Sequence, residues 1–293
     1  MNQFKPSYTA QLIARSMVLV SKSSHLYPLV DQKTVELNKH FLKHSMKHHF
    51  FIRNINSRWY QSLLRLKESV FAPGIVFHLA LRKKIIEQEI RSLLAQGSKQ
   101  VLILGAGFDS LAIRLHSEYP EVQFIEIDQA AGQNLKLKAL TGLDNKPNLR
   151  FINLDLNHSS LTPFLENNPK TVILAEGLFM YLSESVIKKL ISEISASGSD
   201  HHLIFSYFDI NRLFSSGSKL QKSILRYVLK FKKESLKWVT NETALKELLT
   251  DCDMELEKII IPSECKSSYL SCTVEDQPIQ TGEHLCLCRV KVH

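Results

Sequence analysis

The sequence lacks the features that would place it outside the ordinary globular enzymes. No stretch approaches the ~20 consecutive apolar residues that a membrane-crossing helix needs. The one signal-like run, Leu12 to Val20, is interrupted by Arg15 and followed by no small-residue cleavage site, so it reads as a helix of the mature chain. Cysteine is scarce: Cys252, Cys265, Cys272, Cys286 and Cys288 make an odd number, with no Cys-x-x-Cys pair. That argues against a disulfide framework and a structural zinc site, and a reducing cytoplasm is the expected compartment. Acid is in deficit, with 37 Lys and Arg against 29 Asp and Glu and a formal charge of +8. The excess favours acidic partners in general. No nucleic-acid motif accompanies it, and no nucleic-acid partner is expected. There is no Gly-x-x-x-x-Gly-Lys-Ser/Thr, which excludes a phosphate-cradling P-loop.

What the chain does have is organised around residues 101–109, Val-Leu-Ile-Leu-Gly-Ala-Gly-Phe-Asp. Val101 to Leu104 is a short, wholly apolar run of the kind buried on both faces in a parallel sheet. Gly105, Ala106 and Gly107 end it, and two glycines allow a tight turn and a close approach of backbone to ligand. A helical pattern follows through Leu111, Arg114 and Leu115. Val122 to Ile127 reads as the next strand, and Asp128 at its carboxyl end lies 21 residues beyond Gly107. An acid there can accept hydrogen bonds from both hydroxyls of a ribose. The dinucleotide pattern requires a third small residue three positions after the second glycine, and Ser110 stands there instead. A nucleoside with little or no phosphate fits best, and S-adenosylmethionine is such a ligand.

Further elements follow in order. Pro73-Gly74 breaks the chain, and a helix is expected from about Ile75 to Leu94 on the period of Leu79, Ile86, Ile90 and Leu93, ended by Gly97. Strands are expected at Leu149–Leu154, Thr171–Ala175, Leu203–Phe208, Met254–Ile261 and Glu283–Val292. Ser183 is placed to cap a helix reaching about Ser195, and Thr240-Asn241 to start another reaching about Thr250. His40, His44 and His48 recur at helical spacing beside Lys39, Lys43 and Lys47. The adjacent lysines would repel a cation, so the stripe reads as a solvated basic face, and no metal is expected.

The ordered set Leu81-Arg82, Gln100 to Ser110, Phe124-Ile-Glu-Ile-Asp-Gln129, Asp155-Leu156 and Ala175-Glu-Gly-Leu-Phe-Met-Tyr-Leu182 resembles the leucine carboxyl methyltransferase superfamily, over roughly residues 8–210. That superfamily includes protein phosphatase methyltransferases and tetracenomycin-type polyketide O-methyltransferases. The opening Thr9-Ala10 to Arg15-Ser16 is similar to the polyketide-type branch. The resemblance implies an α/β, Rossmann-like sheet of seven mostly parallel strands with helices on both faces. It implies an N-terminal helical cap over residues 1–74 and a methyltransferase domain over 75–293, with a helical lid inserted near 209–240. It implies that Arg82 pairs with the carboxylate of the cofactor's methionine tail, where a planar guanidinium suits a carboxylate. By the same resemblance Gly105, Ala106, Gly107 and Asp128 hold the nucleoside, Asp155 accepts from the adenine amino group and Leu156 packs on its ring. Glu176 contacts the methionine end, and Tyr181 faces the acceptor. The chain departs from the family in Leu81-Arg82-Lys83…Glu87, where Ala-Arg-Thr…Asp is usual, and at Leu111, where an arginine is usual.

The function expected is O-methylation, by S-adenosylmethionine, of a hydroxyl or carboxylate on a small molecule. A protein C-terminal carboxylate is the alternative acceptor. The cations Lys219, Lys222, Arg226, Lys230, Lys233 and Lys237, on one helix face, would then meet an acidic partner or a membrane surface. A non-catalytic nucleoside-binding protein would keep the same fold, and Ser110 disfavours an NAD-dependent oxidoreductase. A phenol or alcohol acceptor would need a base. His25, His78, His158 and His284 are available, and nothing in the sequence singles one out.

Overall fold

The structure is a computed structural model, which describes residues 7–23, 25–45, 49–140, 146–166, 170–197, 200–212, 236–269 and 277–291. Helices α1 (Tyr8–Val20), α2 (Gln32–His44), α3 (His49–Asn54) and α4 (Arg58–Phe71) precede the sheet. Ser7 and Asp31 cap the first two: their side chains accept from the backbone N–H of Ala10 and of Thr34. The long helix α5 (Ile75–Ala95) leads from this layer into the sheet. Its start is set by Gly74, at φ 75°, where a Cβ would lie 2.2 Å from the Pro278 carbonyl oxygen.

Seven strands form one sheet: β1 (Gln100–Leu104), β2 (Gln123–Asp128), β3 (Leu149–Asn153), β4 (Thr171–Ala175), β5 (His202–Phe208), β6 (Met254–Ile260) and β7 (Glu283–Val290). Their order is β3-β2-β1-β4-β5-β7-β6. Pairing is parallel from β3 to β5, and β7 runs antiparallel to both β5 and β6. The strand order reverses between β1 and β4, which opens a crevice at their carboxyl ends.

Alternation along the strands divides the core. Val101, Ile103, Phe124, Val172 and Leu174 pack with α5 and the N-terminal helices. Leu102, Leu104, Ile125, Ile173 and Phe205 pack on the other face with α8 (Glu184–Ser195) and α9 (Glu242–Asp251). The N-terminal helices therefore share a continuous apolar core with the sheet rather than building their own. Helix α6 (Leu111–Leu115), after the glycine turn, is only five residues long, although all five are buried. Ser183 and Asn241 are the N-cap residues expected, but only Asn241 makes a side-chain cap bond, to the Ala244 N–H. Among the described residues no helix is long and apolar enough to cross a membrane. Most of the expected basic face lies at 213–235, outside the described residues, as do Met46, Lys47, His48 and Cys272.

Candidate functional site

A cleft of about 460 Å³ opens at the carboxyl ends of β1, β2 and β4. Its floor is the turn after β1. Gly105 and Gly107 take φ of 64° and 48°, the left-handed region that a side chain resists. A Cβ on Gly105 would lie 2.9 Å from Leu178 Cδ1. The turn is pinned to β2 because the N–H groups of Gly105 and Ala106 both donate to the Ile127 carbonyl. Ala106 lines the cleft with them.

Asp128 closes this corner. Its Oδ2 accepts from the Gly107 N–H at 2.8 Å, and its Oδ1 from the Gln129 N–H at 2.7 Å. Burial raises its pKa, against the pull of those two N–H groups and of Lys136. Gly132, in α7 (Ala130–Ala139), leaves the space beside it clear: a Cβ there would stand 2.7 Å from Asp128 Oδ2. Gly105, Gly107 and Asp128, chosen from spacing alone, are thus brought together in one cleft wall.

The opposite wall is charged. Glu176 lies after β4, and its Oε2 accepts from Lys83 Nζ at 2.8 Å. The same ammonium reaches Asp109 Oδ2 at 2.7 Å. Burial alone would lower the pKa of Lys83, but Asp109 and Glu176 raise it. Burial would raise that of Asp109, yet Lys83, Lys136 and the Leu111 N–H bring it down to about 2. Lys83 thus stands as one ammonium between the side chains of Asp109 and Glu176.

Arg82 lies outside the cleft lining. Its side chain is 3% exposed and takes up Glu176 Oε1 at 2.7 Å through Nη2 and Glu283 through Nη1. Glu283 also meets His78 Nε2 at 2.9 Å. The cation of α5 that borders the cleft is Lys83, one residue on, which the sequence motif did not single out. Adjacent helix positions differ by about 100° in direction, so a one-residue step exchanges a cleft-facing group for a buried one. The only sequence signal was the departure Leu81-Arg82-Lys83 itself.

The wall after β3 differs from expectation in a similar way. Asp155 does not border the cleft: its Oδ1 accepts from the N–H and Nδ2 of Asn157, closing a turn. Leu156 is 6% exposed and belongs to the core under the sheet. Asn157, carried by that turn, is the cleft residue there. At the far end Tyr181 lines the cleft with Thr9, and their hydroxyls are 3.0 Å apart. This bond ties α1 to the loop after β4, and Lys237 borders the same end.

None of the four histidines lines the cleft. His78 and His284 are buried, at 1% and 3% exposure, and His25 borders a separate cavity beneath α4. His158 follows the Asp155 turn. Of the spaced histidines, His40 and His44 lie side by side on α2, with ring centroids 4.8 Å apart and ring planes tilted by 45°. Among the described residues no group of three or more His, Cys, Asp or Glu is placed to hold a metal ion.

Comparison with known proteins gives consistent results. The family model for leucine carboxyl methyltransferase matches residues 25–195, more than half of the chain. A Streptomyces avermitilis protein named "Putative S-adenosyl-L-methionine-dependent methyltransferase" is 30% identical over 132 residues, covering 43% of this chain and 46% of its own. A Mycobacterium ulcerans protein of the same name is 29% identical over 153 residues, half of each chain. The chain thus spans about half the length of these curated relatives. A crystal structure of a DUF574 family protein from Streptomyces avermitilis superposes with a TM-score of 0.59 at 10% identity, covering 98% of each chain. Another, titled a putative methyltransferase from Thermobifida fusca, gives 0.53 at 15%, covering 98% of this chain and 96% of that one. These two share the fold.

Proposed function

Because the chain belongs to the leucine carboxyl methyltransferase family, we propose that it is an S-adenosylmethionine-dependent O-methyltransferase acting on a small molecule that presents a carboxylate. The observation that carries this reading is the corner formed by Gly105, Gly107, Asp128 and Gly132, a carboxylate in a cradle that a Cβ would fill. The names of the curated relatives support the cofactor.

Each cleft residue then has a role that its chemistry suits. Asp128, an acceptor on both oxygens, takes the two ribose hydroxyls. Gly105, Ala106 and Gly107 let the backbone approach the sugar and the sulfur. Lys83 meets the carboxylate of the amino-acid tail, and Glu176 meets its ammonium. Arg82 acts from behind, fixing Glu176 through a charge-assisted pair. Asn157 spends its Nδ2 on Asp155, and its Oδ1 is left to accept from the adenine amino group. Asp155 and Leu156 set the turn that carries it. S-adenosylmethionine supplies an electrophilic methyl on a sulfonium. The chain supplies alignment: well-oriented reactants gain about 7–11 kcal/mol of the barrier as effective molarity.

The carboxylate acceptor rests on the far end of the cleft. Tyr181, Thr9 and Lys237 border it, and among the described residues no histidine does. A carboxylate arrives deprotonated and needs no base, whereas an alcohol would. Lys237 offers such an anion a counter-charge. The test is methyl transfer from tritiated cofactor to a panel of aryl and alkyl carboxylic acids and phenols. Base-labile, volatile label identifies a methyl ester. Label that survives base on the phenols alone would refute the carboxylate reading.

A further inference from the structure

Helix α4 is amphipathic in the wrong direction for a helix that belongs only to a core. Its inward contact is Tyr60, 7% exposed and packed edge-on against Phe50 and Phe51. Trp59, Leu63, Leu66 and Val70 recur at intervals of four, three and four, which places them on one narrow stripe of the helix. They are 61%, 37%, 62% and 46% exposed. Phe50, which packs against Tyr60, and Phe71, the last residue of α4, are also exposed, at 58% and 54%. Scattered exposed apolar residues need no explanation, but six of the nine large ones described fall within these 22 positions.

The surroundings are cationic. Between Glu36 and Glu68 the sequence holds seven Lys and Arg and no Asp or Glu. Arg53, Arg58, Arg65 and Lys67 of this stretch are exposed around the stripe. A second copy of the chain would bring the same cations face to face, which disfavours self-association through this surface. An anionic lipid surface meets both halves of the pattern, because an interfacial helix lays Trp and Leu into the acyl boundary while Lys and Arg meet the headgroups.

We propose that the α3–α4 surface docks the protein on anionic membranes, with the Trp59–Leu63–Leu66–Val70 stripe inserted at the interface. This stands apart from the reading of the cleft and holds whatever reaction the cleft performs.

The test uses the full chain with vesicles of phosphatidylcholine alone or mixed with phosphatidylglycerol. The chain has two tryptophans, and Trp238 is only 6% exposed, so Trp59 dominates the response to the lipid. The expected result is co-sedimentation with the anionic vesicles, a blue shift of tryptophan emission and loss of acrylamide quenching. Binding should weaken as salt rises from about 0.05 to 0.3 M. Leu66→Asp, at an exposed position, should weaken binding at least about tenfold, and Lys67→Glu should weaken it in the same direction. Three results would overturn the proposal. They are equal recovery with neutral and anionic vesicles, undiminished binding by Leu66→Asp, or a lipid-free dimer that Leu66→Asp dissolves.

Discussion

Replacing Arg82 with methionine separates a ligand-facing arginine from a buried positioning one. The side chain is 3% exposed and neutralises carboxylates on two elements, Glu176 after β4 and Glu283 on β7. Removing one partner of a buried pair costs about 3–5 kcal/mol, because the remaining charge is stranded without solvent. Here each stranded carboxylate keeps one partner, Glu283 with His78 and Glu176 with Lys83. The lower part of that range applies, about 3–4 kcal/mol. At roughly 2–4 °C per kcal/mol for a chain approaching this size, Tm should fall by roughly 6–16 °C. Thermal unfolding followed by circular dichroism reads this directly. Lys83→Met serves as the comparison: its side chain is 18% exposed, so water can replace the lost partner and the fall in Tm should be smaller. Lys83→Met should weaken S-adenosylhomocysteine binding by at least about tenfold, the loss of one charged contact. If Arg82→Met leaves Tm unchanged and abolishes ligand binding, the guanidinium serves the ligand and the positioning role is wrong.

Gly132→Ala should leave stability nearly unchanged, since about 1 kcal/mol of helix propensity offsets a local clash. It should nevertheless weaken nucleoside affinity in calorimetry, because the new Cβ meets Asp128 Oδ2 at 2.7 Å. Gly105→Ala should lose about 1–2 kcal/mol in urea denaturation from the left-handed φ alone. Acid titration of stability should show a loss set by Glu283 and Asp109, both held at about 2 in the folded chain against ordinary values of 4.5 and 3.8. Burial would raise both, but Arg82 and His78 lower the first, and Lys83 and Lys136 the second. The unfolded chain binds more protons in that window, so this stability is complete above about pH 4.5 and is lost as pH falls towards 2. Arg82→Met should flatten the Glu283 part of the fall.

The parts of the molecule legible from sequence are those where one physical constraint dominates. The strands β1 and β4 are buried along their whole length, so their apolar runs announce them. The glycine turn and Asp128 follow from backbone sterics and a strand-length spacing, and they lie together in space. Assignments that depend on direction were less legible. Arg82 and Lys83 are neighbours on one helix, and only tertiary packing decides which enters the cleft. Glu283, the partner that draws Arg82 inward, is 201 positions away and carries no local signal. Asp155 spends its carboxylate on its own turn, a competing local bond that strand-end acids often make, and this moves the cleft-facing role to Asn157. The buried pair of Glu126 with Lys136, both 0% exposed beneath this corner, was likewise invisible. Burial raises Glu126 to about 7 despite the lysine beside it.

The most direct test of the account is calorimetric titration of the purified chain, and of Asp128→Ala, with S-adenosylhomocysteine and separately with NAD. The expected result is saturable binding of S-adenosylhomocysteine, at least about tenfold weaker in Asp128→Ala through loss of the paired hydroxyl contacts, and no comparable binding of NAD. A preference for NAD, or no heat from S-adenosylhomocysteine at millimolar concentration, would contradict it.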